Sequence, residues 1–254
     1  MLAALPLWMA KLIRWHYVEN KIAVCFTEGM VFGVALETLL RKDMILWEET
    51  WSSVPSVLRA LSSALCARTK DEGLLRVPGN KHKIEALCQL IERQWYEDRS
   101  SVEAALRRAT GHDLAAVFKR LLRSLPQPPL TQELMRLFYH TYCRVLNLLV
   151  LLLPSEQRAT LREILRLVRE IVAMSDTNKM SEHNVAMIIA PALFPPSLLI
   201  KQSDSLETQL ATAANSCHVT EALMRWCDRL WTVPSSCLLA SQRKPPQHRR
   251  NHHT

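Results

Sequence analysis

Gly73-Leu74-Leu75-Arg76-Val77-Pro78-Gly79 sets one arginine between two of only five glycines in a 254-residue chain, and the flanking segments carry helical periodicity. Glycine costs about 1 kcal/mol in a helix interior and supplies the positive φ that sharp turns need. Pro78 has no amide donor and pushes Val77 out of helical geometry. A chain that otherwise avoids glycine therefore builds a stiff loop here. Arg76 is offered outward from it, because an unpaired guanidinium is costly to bury. Taken alone, the segment also fits an ordinary surface arginine in a helix–helix connection. The segments around it decide between the two.

Upstream, Val57, Leu58, Leu61 and Leu65 mark one helix, and Leu36, Leu39 and Leu40 mark another that ends before Arg41-Lys42-Asp43. A connection with Trp47, Trp51 and Pro55 joins them. Downstream, Ile84, Leu87, Cys88, Ile91 and Trp95 recur at i, i+3, i+4, i+7 and i+11, which predicts one buried helical face. Residues 97–111 read as a polar connection with a short helical piece. Leu114, Val117, Phe118, Leu121, Leu122 and Leu125 repeat the helical spacing until Pro126. Further helices are predicted over 131–153, 155–174 and 210–231. No strand-like alternation and no internal repeat occurs. The predicted fold class is all-α, a single helical bundle with the Arg76 loop presented from it. Residues 1–31 read as an N-terminal extension, 32–232 as the domain, and 233–254 as a basic tail expected to be disordered.

Hydrophobic residues at 48% and charged residues at 22% suit a soluble globular protein, and a formal charge of +8 favours an acidic partner. Seven scattered cysteines without a CxxC pair predict reduced thiols in a cytoplasmic protein, with no disulfide framework and no metal site. The apolar start, MLAALPLWMA, lacks a basic leader and is interrupted by Lys11 and Arg14, so it does not read as a signal peptide. The run from Leu146 to Leu153 is too short to cross a bilayer. Nucleic acid is not expected as a partner, because aromatics are not interleaved with the basic residues and no binding module is visible. His112, Cys217 and His218 read as packing or capping residues rather than a nucleophilic site.

Two more segments carry a pattern. His112 to Leu125, HDLAAVFKRLLRSL, places Lys119, Arg120 and Arg123 opposite its apolar face. Lys119 and Arg123 are like charges at i, i+4, a cost of roughly 0.2–0.5 kcal/mol to the helix. A solvated basic face would explain them alone; beside Arg76 they suggest a groove for an anion-bearing partner. Asn178-Lys179-Met180-Ser181 then precedes an apolar helix led by Asn184, which Pro191 is expected to break.

With these three segments the sequence resembles a Rho GTPase-activating (RhoGAP) domain. GLLRVPG resembles the family's arginine-finger loop, HDLAAVFKRLLRSLPQPPL its basic helix, and NKMSEHNVAMIIAPALF its asparagine-bearing segment. The likeness runs from Phe32 to Trp231. Leu146 to Val150 and Leu230 to Pro234 are most similar to the subgroup with Rho GTPase-activating proteins 18, 28 and 40. The resemblance implies a GTPase activator acting on the GTP-bound state of a Rho-family GTPase, with a tilt towards RhoA. Arg76 would be the finger supplied in trans. Lys119 and Arg123 would support the loop and contact the partner, and Asn184 and Ala192 would fall in the partner-facing segment. No cofactor is implied, since GTP and magnesium would belong to the partner.

The sequence departs from the family pattern at three places, of which Ala192 and the shortened connection leave a second reading open, a module that binds Rho GTPases as a scaffold but stimulates hydrolysis weakly. Ala192 replaces the family asparagine, Ser124 replaces an acidic residue, and the stretch from Glu133 to Leu146 is shortened. The resemblance implies action in the cytoplasm, at the plasma membrane or on the cytoskeleton. The basic tail offers peripheral contact with anionic lipid at about 1 kcal/mol per residue.

Overall fold

The computed structural model of the chain describes residues 30–47, 53–140, 145–201 and 203–232. Among them every regular element is helical. Helix α1 spans Leu36–Trp47, α2 Ser56–Cys66, α3 Lys81–Gln94, α4 Arg99–Arg108 and α5 Gly111–Ser124. They are followed by α6 (Gln132–His140), α7 (Leu146–Leu152), α8 (Ser155–Ala173) and the single turn α9 (Ser175–Asn178). Last come α10 (Glu182–Leu193), the short α11 (Pro196–Leu199) and α12 (Leu206–Arg225). The all-α class read from the periodicity is the class observed.

Helices α2, α5 and α8 surround the centre, where α2 packs on both α5 and α8. Leu58, Leu61 and Leu65 of α2 meet Leu114, Phe118 and Leu121 of α5 and Ile164, Leu165 and Val168 of α8 in one continuous core. Burying each such side chain is worth about 1.5–3 kcal/mol. Helix α5 is thus fixed along its apolar face, which leaves its basic face in a defined orientation. Thr110 caps α5 by accepting the Asp113 amide at 3.3 Å, while the Asp113 carboxylate accepts the Thr110 hydroxyl at 2.8 Å.

Arg41, Lys42 and Asp43 do not end the first helix, which continues to Trp47. The charges that suggested a boundary are used inside the fold. Asp43 is 2% exposed and accepts the Ser56 amide and hydroxyl, both at 2.6 Å. Ser56 Oγ in turn accepts the Trp95 indole N–H at 3.1 Å. The Lys42 ammonium donates to the Met30 carbonyl at 3.1 Å. The same end of the chain is held by Glu92, whose carboxylate accepts the amides of Met30, Val31 and Phe32 at 2.5, 3.1 and 2.9 Å. Val31 is fully buried, so the domain begins slightly before the boundary expected at residue 32.

Pro191 lies inside α10 and does not break it. A proline removes one amide donor, but only two residues follow before the helix ends, and the Phe194 amide still reaches the Ala190 carbonyl at 2.7 Å. The helical stretch expected over 131–153 is two helices, α6 and α7, with residues 141–144 between them outside the described part. The stretch from Glu133 to Leu146 thus holds most of α6, these four residues and the start of α7. Residues 1–29 and the basic tail 233–254 also lie outside the described residues.

Candidate functional site

The loop between α2 and α3 holds its shape through three separate clamps. At its start, the Gly73 amide donates to the Asn178 carbonyl at 2.7 Å. Asn178 is fully buried, and its side-chain amide donates to the carbonyls of Thr69 and Ile171, both at 2.7 Å, and accepts the Met180 amide at 2.8 Å. One asparagine therefore ties the end of α8 to the approach to Arg76. Lys179 beside it takes φ +59°, which closes the α9 turn in the left-handed region.

In the middle, Lys119 of α5 donates from Nζ to the Leu75 carbonyl at 2.6 Å. Leu75 is fully buried with φ +72°. For a leucine that conformation costs roughly 1–2 kcal/mol. Burial of its side chain and the lysine at its carbonyl hold it there. At the far end, Asp113 Oδ1 accepts the Asn80 amide at 2.7 Å. Asn80 then caps α3 by accepting the His82 and Lys83 amides at 3.0 and 3.2 Å.

The two bracketing glycines serve different needs. Gly73 has φ +66°. Gly79 is required by space: a Cβ there would come within 2.9 Å of the Asp113 Cα and closer still to its carboxylate. The loop is thus pressed onto the N-terminus of α5. Between the clamps, Arg76 is exposed, and its guanidinium makes no hydrogen bond or ion pair with any described residue.

The three basic residues of α5 have distinct surroundings. Burial, with a smaller contribution from Arg123, pushes the Lys119 ammonium below the ordinary lysine value of 10.5. Arg120 is paired with Glu85 at 2.7 Å and lies over the Phe32 ring, so it braces α5 against α3. The hydrogen bond from Arg120 holds the Glu85 carboxyl below its usual range. Arg123 is exposed and makes no hydrogen bond or ion pair with any described residue. The expectation that both Lys119 and Arg123 support the loop is therefore corrected. Lys119 alone reaches it, because one helical turn separates Arg123 from the Leu75 carbonyl's partner. Pro78, Gly79, Lys81, Lys119, Arg120 and Arg123 line a groove of about 620 Å3 beside the Arg76 loop.

Asn184 is half-buried in the first turn of α10, where its backbone amide donates to the capping Ser181 hydroxyl at 3.2 Å. Ala192, expected in the partner-facing segment, is 2% exposed and packed in the main core. The Ala192 methyl offers no contact surface, a correction to the sequence reading. Its place near the C-terminal end of α10 carries it inward with Leu193. Ala192→Asn is accordingly expected to cost about 1–3 kcal/mol through an amide confined to an apolar site. Denaturant unfolding measures the cost, and an unchanged midpoint contradicts the packing described.

A second prediction arises from the lysine clamp. Lys119→Met keeps the stem and removes the cation, so the loop loses its central tether. Global stability should change little. The lowered pKa means that the unfolded chain holds this proton more tightly. The resulting penalty is present in full below the folded pKa and disappears as pH rises towards 10.5. Hydrogen exchange at Leu75 to Val77 should accelerate at least tenfold relative to the core amides. Exchange equal to that of the parent removes the tether role.

Residues 55–198 match the RhoGAP domain, and the chain belongs to that family. It is 39% identical over 225 residues to the Drosophila melanogaster Rho GTPase-activating protein conundrum, across 85% of this chain and 36% of that protein. It is 35% identical to human Rho GTPase-activating protein 40, across 94% of this chain and 34% of that protein, and 34% identical to human Rho GTPase-activating protein 18, across 85% and 33%. The chain thus spans about a third of the length of these relatives. The crystal structure of human Rho GTPase-activating protein 15 matches with a TM-score of 0.67 at 17% identity, over 84% of this chain and 98% of that one, a likeness of fold.

Asp113 and Asn178 are the site residues that sequence reasoning missed in their roles. Asn178 was visible as part of a motif, and Asp113 stands three residues after Thr110, a spacing that signals a capping box. Neither signal says that the same side chain also holds a distant loop.

Proposed function

We propose that this chain accelerates GTP hydrolysis by a Rho-family GTPase, RhoA being the preferred member, through Arg76 inserted in trans. The observation that carries the proposal is the unpaired Arg76 guanidinium on a loop clamped at both ends and at Leu75. That side chain has no partner among the described residues to give up, so its hydrogen-bonding capacity is open to charge that develops on a bound phosphate. GTP, its magnesium ion and the attacking water belong to the partner. The role of this chain is to fix a guanidinium beside the phosphates, where charge builds up in the transition state. Such fingers are worth about 10³–10⁵ in rate, or roughly 4–7 kcal/mol of barrier.

Preorganisation makes the clamps part of the mechanism. A finger that must first be ordered would spend part of its interaction energy on conformational entropy. The exposed Arg123, one turn along α5 from Lys119, is assigned to steering and contact with the partner's acidic surface. Arg123→Ala is expected to weaken association with GTP-loaded RhoA about tenfold at low ionic strength and less at high salt, because screening reduces the parent's advantage. Fluorescence of nucleotide-loaded GTPase measures this, and an unchanged affinity at every salt concentration dismisses the basic groove.

The scaffold reading rested on Ala192 and on the shortened connection from Glu133 to Leu146. The burial of that methyl in the core weakens the case for a lost contact there. Phosphate release measured for RhoA and Rac, with binding measured in parallel, tests the whole proposal. Acceleration greatest on RhoA is the expected result. Binding without acceleration selects the scaffold.

A further inference from the structure

Helices α10 and α12 bring three donor atoms to one point away from the finger groove. His183 Nδ1 lies 2.6 Å from Glu221 Oε1, and Cys217 Sγ lies 3.9 Å from each of these two atoms. His183 stands in the first turn of α10, while Cys217 and Glu221, four residues apart, share one face of α12. The second oxygen of Glu221 is 3.7 Å from Nδ1 of a further imidazole, His218.

The geometry separates two chemistries that use the same three residue types. In a nucleophilic relay the imidazole stands between its partners, with the nucleophile at one ring nitrogen and the carboxylate at the other. Here thiol and carboxylate both approach Nδ1, and they also approach each other. Mutual convergence is what a metal ion requires. Zinc bonds of about 2.0–2.1 Å to imidazole, 2.0–2.2 Å to carboxylate and 2.3 Å to thiolate place tetrahedral ligands roughly 3.3–3.7 Å apart. The sulfur is already close to those separations. The His183–Glu221 distance must open by about 0.7 Å to reach them, exchanging a direct hydrogen bond for bonds to the ion, and His183 is exposed.

A cavity of about 460 Å3, lined in part by His183, Cys217 and His218, adjoins the cluster. It gives an ion a route in and leaves room for water or His218 as a fourth ligand. Its other walls, including Met187, Pro191 and Phe194, are mostly apolar, with Thr212 and Ser216 among them, so a bound ion would sit in a partly dry setting.

We propose that His183, Cys217 and Glu221 form a binding site for a zinc-class divalent cation that staples α10 to α12. The mixed nitrogen, sulfur and oxygen set favours zinc or cobalt over magnesium or calcium, which prefer oxygen alone. Binding forms a metal–thiolate bond and releases the thiol proton to solvent, with no change of oxidation state.

The test uses the full chain, stripped of metal with a chelator and titrated with Co2+. A thiolate-to-cobalt charge-transfer band should appear and be displaced by Zn2+, and Zn2+ should raise the melting temperature. Cys217→Ser should abolish the band. His183→Ala changes an exposed residue outside the core, and it should weaken Co2+ binding roughly a hundredfold. It therefore decides the question if the serine variant fails to fold. A folded parent that shows no band, or a band of equal strength and affinity in the histidine variant, overturns the site.

Discussion

Arg76→Ala is expected to leave the helical fold and melting temperature unchanged and to reduce stimulation of RhoA by at least a hundredfold. The side chain is exposed and bonds to no described residue, so its removal breaks no contact within the described fold. The loop keeps its course, because Asn178, Lys119 and Asp113 hold backbone groups and not the guanidinium. What is lost is charge stabilisation at the partner's phosphates, where a finger accounts for about 10³–10⁵ in rate. Arg76→Lys should rescue little, since a point charge does not reproduce a planar fork of donors. Single-turnover phosphate release at saturating activator separates this from weakened binding. An alanine variant as active as its parent removes the finger assignment.

Asn178→Ala is expected to damage both stability and function, in contrast to the Arg76 variant. The side chain satisfies two carbonyls and one amide in a fully buried position. The Ile171 carbonyl keeps the Met174 amide at 3.1 Å, but the Thr69 carbonyl and the Met180 amide lose this partner, at about 1–3 kcal/mol each with some relief from relaxation. A loss near 3 kcal/mol in denaturant unfolding is therefore predicted. The release of the Thr69 carbonyl and disturbance of the Gly73 contact should loosen the loop, so stimulation of RhoA should fall at least tenfold even where the variant remains folded. Asn178→Asp should not rescue it, because a carboxylate cannot donate to two carbonyls. A variant with parental stability contradicts the account of this clamp.

The helices were legible where apolar spacing was long and regular, as in Ile84 to Trp95 and Leu114 to Leu125. Reading failed where a charged residue served the interior. Lys42 and Asp43 suggested a helix end, yet each is consumed by a partner more than ten residues away in sequence. Pro191 suggested a break, but a proline this near the end of a helix removes only one hydrogen bond. The Arg76 loop was legible because its glycines and proline have strong and separate backbone consequences and an unpaired arginine is costly to bury. Its clamps were not, because a hydrogen bond from Lys119 to a carbonyl 44 residues away leaves no local pattern. The same holds for the proposed cation site. His183 and Cys217 are 34 residues apart, well outside the close spacing by which zinc ligands are recognised in a sequence.

The burial of Ala192 shows how a motif position and a surface position differ. The family pattern marks where an asparagine stands in relatives, whereas packing decides what an alanine there can touch. In this chain the methyl belongs to the core cluster with Leu193 and Phe194. Any contact with a partner from this segment must come from its neighbours.

The central claim is that Arg76 acts on the transition state of hydrolysis and not on the ground-state complex. Capture of RhoA loaded with GDP and aluminium fluoride, a mimic of the transferring phosphoryl group, tests it most directly. The parent chain should bind that form far more tightly than the GDP form, and Arg76→Ala should lose this preference while still binding RhoA loaded with a non-hydrolysable GTP analogue. Equal capture of the aluminium fluoride complex by parent and Arg76→Ala chains would contradict the account.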